Sequence, residues 1–261
     1  AALIALGIAT TWAVLMPPLQ GADEPDHLLS FGVVANATQV DRELAAEARR
    51  VHFERIRFRT GERFAPADRE HPYSVAWTGD IHAERMEGRS PLTMRLWRVA
   101  GGLVGARPPP DLLLALRLFN ALVFALCVAA AVSTVVWVGA DSRRIWLLLG
   151  CAVLPTLPYF ATMVSDWAYL ASWSLLLGAT LLVLTHGGPR VSWAGVGLGV
   201  SGALLVSTSI AAIALAPLVV AALVGRLVVR RDGEDATPSA TMRFWGGITL
   251  GALLAYLLLG D

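Results

Sequence analysis

Apolar residues in this chain come in long unbroken runs, not in the alternation of strands or the single stripe of a soluble helix. At about 1.5 Å rise per residue, crossing a bilayer core takes roughly 20 apolar residues. The runs predict spans over Ala1–Met16, Leu112–Val138, Ile145–Tyr159, Trp167–Leu184 and Phe244–Leu259. Pro155 and Pro158 break the third of these. The stretch Val191–Gly225 is too long for one comfortable span, and Ser207-Thr208-Ser209 near its middle divides it into two short helices. The expectation is therefore an all-α polytopic membrane protein of about seven transmembrane helices. A long first loop, residues 17–111, separates spans one and two.

Within that loop, Ser90-Pro91 reads as a helix start, with proline at the first helical position. Leu92, Leu96, Val99, Ala100 and Leu103 recur at helical spacing, with Arg95 and Arg98 elsewhere on the surface. This predicts an amphipathic juxtamembrane helix over Leu92–Val104, lying along the bilayer surface. Residues 41–58 have the length of another helix but poor periodicity, and 59–90 carry no pattern; the sequence assigns no fold to 28–90.

Composition agrees with the pattern. Hydrophobic residues make up 56% of the 261 and charged residues only 16%, against roughly 25% in soluble domains. The charges are concentrated in the loop: 14 of the 20 acids, 13 of the 21 basic residues and four of the five His fall between 17 and 111. All the basic residues are Arg, spread among nearly as many acids, which excludes a nucleic-acid footprint. Cys127 and Cys151 both sit in apolar runs and read as small core hydrophobes. The chain opens Ala-Ala-Leu and stops directly after an apolar run, so it reads as a fragment of a longer protein.

The short loops fix an orientation. Arg143 and Arg144, Arg190, and the group Arg226, Arg230, Arg231 and Arg243 fall on one side if there are seven spans, and that side is the cytoplasm. Counting 191–225 as a single span would move the Arg226–Arg231 cluster outside. Loop 17–111 is then extracytoplasmic, as is the short loop at Thr162–Ser165.

Polar groups that carry chemistry gather at the outer ends of the spans. Asp23-Glu24-Pro25-Asp26-His27 puts three carboxylates and an imidazole into five residues, a set able to act as general base or metal ligand. The same string also reads as a solvated acidic turn that starts a helix. Arg117 lies in the first turns of span two with Asn120 three residues on, on the same face. A charge inside a span faces the protein interior or a wet cavity, or else snorkels to the headgroups. Ser165-Asp166 begins span four, where both residues also serve as ordinary helix caps. His71, Asp80 and His82 fit no metal spacing and read as surface loop residues. Two carboxylate sites and a guanidinium at one membrane edge suit a phosphate-bearing lipid substrate.

Those residues resemble a family. Pro17-Pro18-Leu19-Gln20-Gly21-Ala22-Asp23-Glu24-Pro25-Asp26-His27 is similar to the Asp-Glu-Pro-x-His signature of the membrane proteins grouped as domain of unknown function 2142. That family is related to the GT-C glycosyltransferase superfamily. The likeness continues through Ser90-Pro91-Leu92, Arg117-Leu118-Phe119-Asn120 and Leu154-Pro155 to Ser165-Asp166. The Asp-Glu pair after span one is also similar to that of protein O-mannosyltransferases and lipid A aminoarabinose transferases. The resemblance implies a GT-C-like transmembrane domain over 1–261. It implies an inverting transfer of sugar from a polyprenyl-phosphate donor to a glycan, lipid or protein acceptor at the outer face of the cell membrane. Asp23 would be the general base, Glu24 would position donor or acceptor, and Asp166 would support the site. Some members of the superfamily use a divalent cation, magnesium or manganese, which Asp23 and Asp166 would hold. Charge and placement, rather than a family motif, make Arg117 the candidate for the donor phosphate, with His27 and Asn120 as further substrate-binding candidates.

Two other classes fit the same composition: a transporter or flippase of lipid-linked glycans, marked by interrupted helices and polar residues along a whole path, and a non-catalytic assembly subunit. The topology is testable for all three. In Ser74→Cys and Asp232→Cys variants, each the sole cysteine, a membrane-impermeant thiol reagent is expected to label position 74 from outside and position 232 only after permeabilisation. The reverse pattern would invert the orientation.

Overall fold

A computed structural model describes residues 1–16, 24, 27, 91–104, 109–186, 193–228 and 238–259. The described residues are all-helical apart from turns, with no strand among them. Helix α1 spans Ala2–Leu15, α2 Pro91–Val104, α3 Pro109–Trp137, α4 Ser142–Val153, α5 Thr156–Thr162 and α6 Asp166–His186. Then come α7 (Ala194–Thr208), a 3-10 helix over Ile210–Leu215, α8 (Ala216–Val228) and α9 (Pro238–Leu259).

Two segments, Leu112–Trp137 of α3 and Asp166–Thr185 of α6, are long and apolar enough to cross a bilayer. Helices α4 and α5 make a third if they are taken as one broken span, bent by 55°. The break falls at Leu154-Pro155, as the proline in the apolar run predicts; Pro158 sits within the first turn of α5, where its missing N–H costs nothing. The apolar helices α1 and α7, with 14 and 15 residues, are shorter than a bilayer crossing requires. The long run 191–225 is interrupted next to its polar triplet: α7 ends at Thr208, and Ser209 is extended.

Tight turns join the early spans. Gly139 ends α3 with φ 76°, a left-handed conformation that suits glycine, and its N–H donates to Val136 O at 2.9 Å. Asp141 then caps α4, its Oδ1 accepting from the Arg144 N–H at 3.0 Å while Oδ2 accepts from Arg144 Nη1 at 2.8 Å. The neighbouring Arg143 and Arg144 are the pair used above to orient the chain.

Lipid tails are as apolar as the side chains, so helices in a bilayer associate through close packing and polar ties more than through the hydrophobic effect. The packing here uses small residues. Ala5, Ala9 and Ala13 form one buried stripe of α1, and Ala5 and Ala9 belong to the cluster that holds Phe124, Val128, Ala131 and Val135 of α3 and Leu175 and Ala179 of α6. Helices α7 and α9 meet through Gly195-x-x-x-Gly199 and Gly247-x-x-x-Gly251. A Cβ on Gly199 would lie 2.5 Å from Ile248 O, and one on Gly251 would lie 2.7 Å from Val196 O. This seam was not read from the sequence, although the four-residue glycine spacing in an apolar run is its signal.

Helix α2 starts at Pro91 as its sequence predicts, but its faces differ from the expected stripe. Leu92, Thr93, Trp97 and Ala100 are buried, and Leu92 packs against Trp173 and Leu204. Val99 and Leu103, assigned to the same apolar stripe, are 55% and 72% exposed. The helix thus has a protein-facing side, an outward apolar edge and a separate side with the exposed Arg98. A helix that packs sideways against a bundle can present an apolar edge outward as well as inward. Cys127 is buried while Cys151 is exposed on α4, so only the first is a core hydrophobe; both are free.

Gly199→Ala is expected to lower thermal stability in detergent, because the added methyl meets a backbone oxygen; overpacking costs about 1–3 kcal/mol. Gly202→Ala in the same helix meets nothing within 4 Å and should be neutral or stabilising by up to about 1 kcal/mol. Melting curves of both variants measure the difference.

Candidate functional site: a buried carboxylate–guanidinium junction

Helix α1 ends with backbone carbonyls that have no intrahelical partner, and no basic residue lies in its last turn. The cation comes from another helix. Arg117 of α3 donates from Nη1 to Met16 O and, at 3.3 Å, to Ala13 O. A positive charge at a helix C-terminus also complements the helix dipole.

The rest of the guanidinium meets Glu24. Arg117 Nε donates to Glu24 Oε1 at 2.9 Å and Nη2 to Oε2 at 2.7 Å, a bidentate pair. Glu24 is 0% exposed and Arg117 2%. The two residues are 93 positions apart, so the pair ties the segment after α1 to the first turns of α3.

The junction reaches a third element. Glu24 Oε1 also accepts from the Val164 N–H at 3.2 Å. Asn120 Nδ2, one turn beyond Arg117, donates to Met163 O at 2.6 Å. Met163 C=O and Val164 N–H belong to one peptide group, so that peptide is held on both edges, by Asn120 and by Glu24. It lies in the link between α5 and α6, two residues before Asp166, the first residue of α6. Ser165 is buried beside it, and its hydroxyl has no hydrogen-bond partner among the described residues.

His27 has helical backbone, as does Glu24 three residues earlier, and both side chains are buried. The imidazole packs edge-on against the Trp97 ring of α2, with centroids 6.0 Å apart. Tyr169, one turn into α6, is fully buried and stacks near Trp173 at 6.4 Å; Trp173 Nε1 donates to Thr208 Oγ1 at 3.2 Å. Trp173 thus links the first turns of α6 to the end of α7.

The fold separates the sequence-predicted site residues. Glu24, Arg117 and Asn120 come together around the link to Asp166, and His27 packs beside them on α2. Asp166 is half-buried at the start of its helix. Asp23, Asp26, His71, Asp80 and His82 lie outside the described residues. Arg117, expected at a donor phosphate, has its guanidinium engaged by Glu24 and by the end of α1. Glu24, expected to touch donor or acceptor, is sealed from solvent. Sequence reasoning missed the Met163–Val164 peptide, because no side-chain pattern marks a backbone partner. It also passed over Trp97 and Tyr169; a tryptophan on a helix otherwise read as polar-faced was the available signal. Among the described residues, no three His, Cys, Asp or Glu side chains gather as a metal site.

The chain matches no protein-family profile and no curated protein sequence.

Because the pair is buried, removing one partner leaves a charge without its counterpart. Arg117→Met is expected to destabilise the protein by about 3–5 kcal/mol, and the double variant Glu24→Gln/Arg117→Met by less. Unfolding in mixed micelles measures both; equal losses would mean that the unpaired Glu24 carboxylate is not the source of the Arg117→Met loss.

Proposed function

We propose that this protein is an integral membrane glycosyltransferase of the GT-C type. It would move a sugar from a polyprenyl-phosphate donor to a cell-envelope acceptor at the extracytoplasmic face. One observation carries the reading: the acidic segment after the first helix is tied, through Glu24, to the peptide that precedes Asp166. That tie favours a single site for acids far apart in sequence, such as the glycosyl-transfer reading requires. The resemblance of the Asp23-Glu24 segment to GT-C enzymes is the second support.

In this reading the chain has seven spans, with α1, α7 and α8 among them, and loop 17–111 outside. Asp23 accepts the proton of the acceptor hydroxyl as its oxygen attacks the anomeric carbon. The bond from that carbon to the phosphate oxygen breaks, and polyprenyl phosphate departs with the electron pair. Asp166 contacts the reacting sugar from the start of α6. Asp23 and Asp166 are the residues that would hold a divalent cation, and no step here is routed through one.

A second reading has its own observation. The 55° break between α4 and α5, and the 3-10 interruption after α7, are the discontinuous helices expected of a transporter. A flippase for lipid-linked glycans would use them to open a path.

Transfer of labelled sugar from polyprenyl-phosphate donors by the purified full-length protein in liposomes tests both. Turnover should fall by about a hundredfold or more in Asp23→Asn, in line with the loss of a general base, and clearly in Asp166→Asn. Movement of labelled donor between leaflets without transfer would replace the enzyme reading with the flippase. Neither activity would leave the assembly subunit.

A further inference from the structure

A carboxylate that makes its hydrogen bonds inside the protein can still serve the chemistry by fixing where other groups stand. Glu24 Oε1 accepts from Arg117 Nε and the Val164 N–H, and Oε2 accepts from Arg117 Nη2. Its partners belong to different elements: Arg117 on α3, and the Val164 N–H on the link to α6. Arg117 in turn grips Ala13 O and Met16 O at the end of α1. Asn120 grips the other edge of the same Met163–Val164 peptide.

We propose that Glu24, Arg117 and Asn120 are positioning residues. Together they lock the end of α1, the outer turns of α3 and the Met163–Val164 peptide into one rigid junction, and thereby set Asp166 in fixed relation to the acidic segment that follows α1. Arg117 acts on the reaction through Asp166, not as a ligand of the substrate.

The geometry gives this junction its stiffness. A guanidinium fork on a carboxylate resists rotation, because two parallel bonds must break together. The peptide clamped at both edges cannot swing without losing a bond on one side. Asp166 follows two residues later, where α6 begins, and the Ala168 N–H bonded to Ser165 O at 3.1 Å starts the helix directly from the link. Movement of the peptide would therefore move the first turn of α6.

The proposal rests on the glycosyltransferase reading for its kinetic consequence only. Its structural part is measured separately. With Cys127 and Cys151 replaced by Ala, spin labels at Leu3 and Trp167, both exposed, report the distance from the far end of α1 to the start of α6. Arg117→Lys keeps the charge and loses the fork; Glu24→Gln keeps the shape and loses the charge. Both should broaden the distance distribution. In the unlabelled proteins both should lower kcat by about a hundredfold, the scale of a misplacement near 1 Å, while donor KM stays within about twofold. An Asn120→Asp variant, which cannot donate to Met163 O when ionised, should act in the same direction.

Unchanged distances in both variants would overturn the proposal, whatever the kinetics. Broadened distances with full kcat would overturn it too, leaving a structural tie with no bearing on turnover. An increase in donor KM for Arg117→Lys together with a decrease for Glu24→Gln, at unchanged distances, would make Arg117 a phosphate ligand restrained by Glu24. If the parent itself transfers no sugar but the distances broaden, the junction stands and the glycosyltransferase reading falls.

Discussion

The arrangement of the first half of the molecule depends on where one guanidinium finds its partners. Arg117 sits in the first turns of a long apolar helix, and an unpaired charge buried in such a helix is costly. An arginine cannot shed its proton to escape that cost. It must collect acceptors, and the acceptors it collects decide the packing. The carbonyls at the end of α1 are available because α1 lacks a basic residue in its last turn. The Glu24 carboxylate is available because the helical backbone at Glu24 presents it, buried, to α3. Each of these groups would be costly if buried alone, and together they satisfy one another. The junction therefore forms only when α1, its following segment and α3 are all in place. That makes it a test of correct assembly as well as a contact.

Away from this junction the bundle is held by different means. Helices α7 and α9 carry no comparable ion pair between them among the described residues. They approach closely because glycines at four-residue spacing remove the side chains that would keep the backbones apart. The alanine stripe of α1 does the same more loosely against the α3 and α6 cluster. Small residues determine how near two helices lie, and polar ties determine which rotation and depth they adopt. Arg117, three residues before Asn120, sets both near the N-terminal end of α3. Glycine seams alone would tolerate sliding of one helix along the other more readily.

The helices were largely legible, because apolar run length and proline are local signals. Span two, read as Leu112–Val138, is the helix Pro109–Trp137, and the breaks at Pro155 and after Thr208 fall beside the residues that announced them. That Arg117 and Asn120 share a face followed from helical spacing alone. What each of them touches did not. The acids of Asp23-Glu24-Pro25-Asp26 are equivalent in a string of letters, and that Glu24 reaches α3 is a long-range contact that no local pattern announces. The inner edge of α2 was misread for a related reason. Leu92, Leu96, Val99, Ala100 and Leu103 form a consistent apolar arc, but a helix wedged between protein and outer surroundings has two apolar boundaries. Hydrophobicity does not say which one meets the bundle. Trp97 meets it here, with Val99 and Leu103 turned outward.

The junction also divides labour among the carboxylates. A general base must present a lone pair to the proton it removes, within hydrogen-bond reach of the attacking oxygen. Glu24 Oε1 accepts from Arg117 Nε and the Val164 N–H, Oε2 accepts from Arg117 Nη2, and the residue has no exposed surface. A buried carboxylate held by the Arg117 fork is out of reach of an acceptor hydroxyl while the junction is closed. The glutamate, one methylene longer, reaches across to α3 and the α5–α6 link and holds them. Under the glycosyltransferase proposal, proton transfer then falls to Asp23. On that proposal Glu24 is a positioning carboxylate, and Arg117 belongs with it.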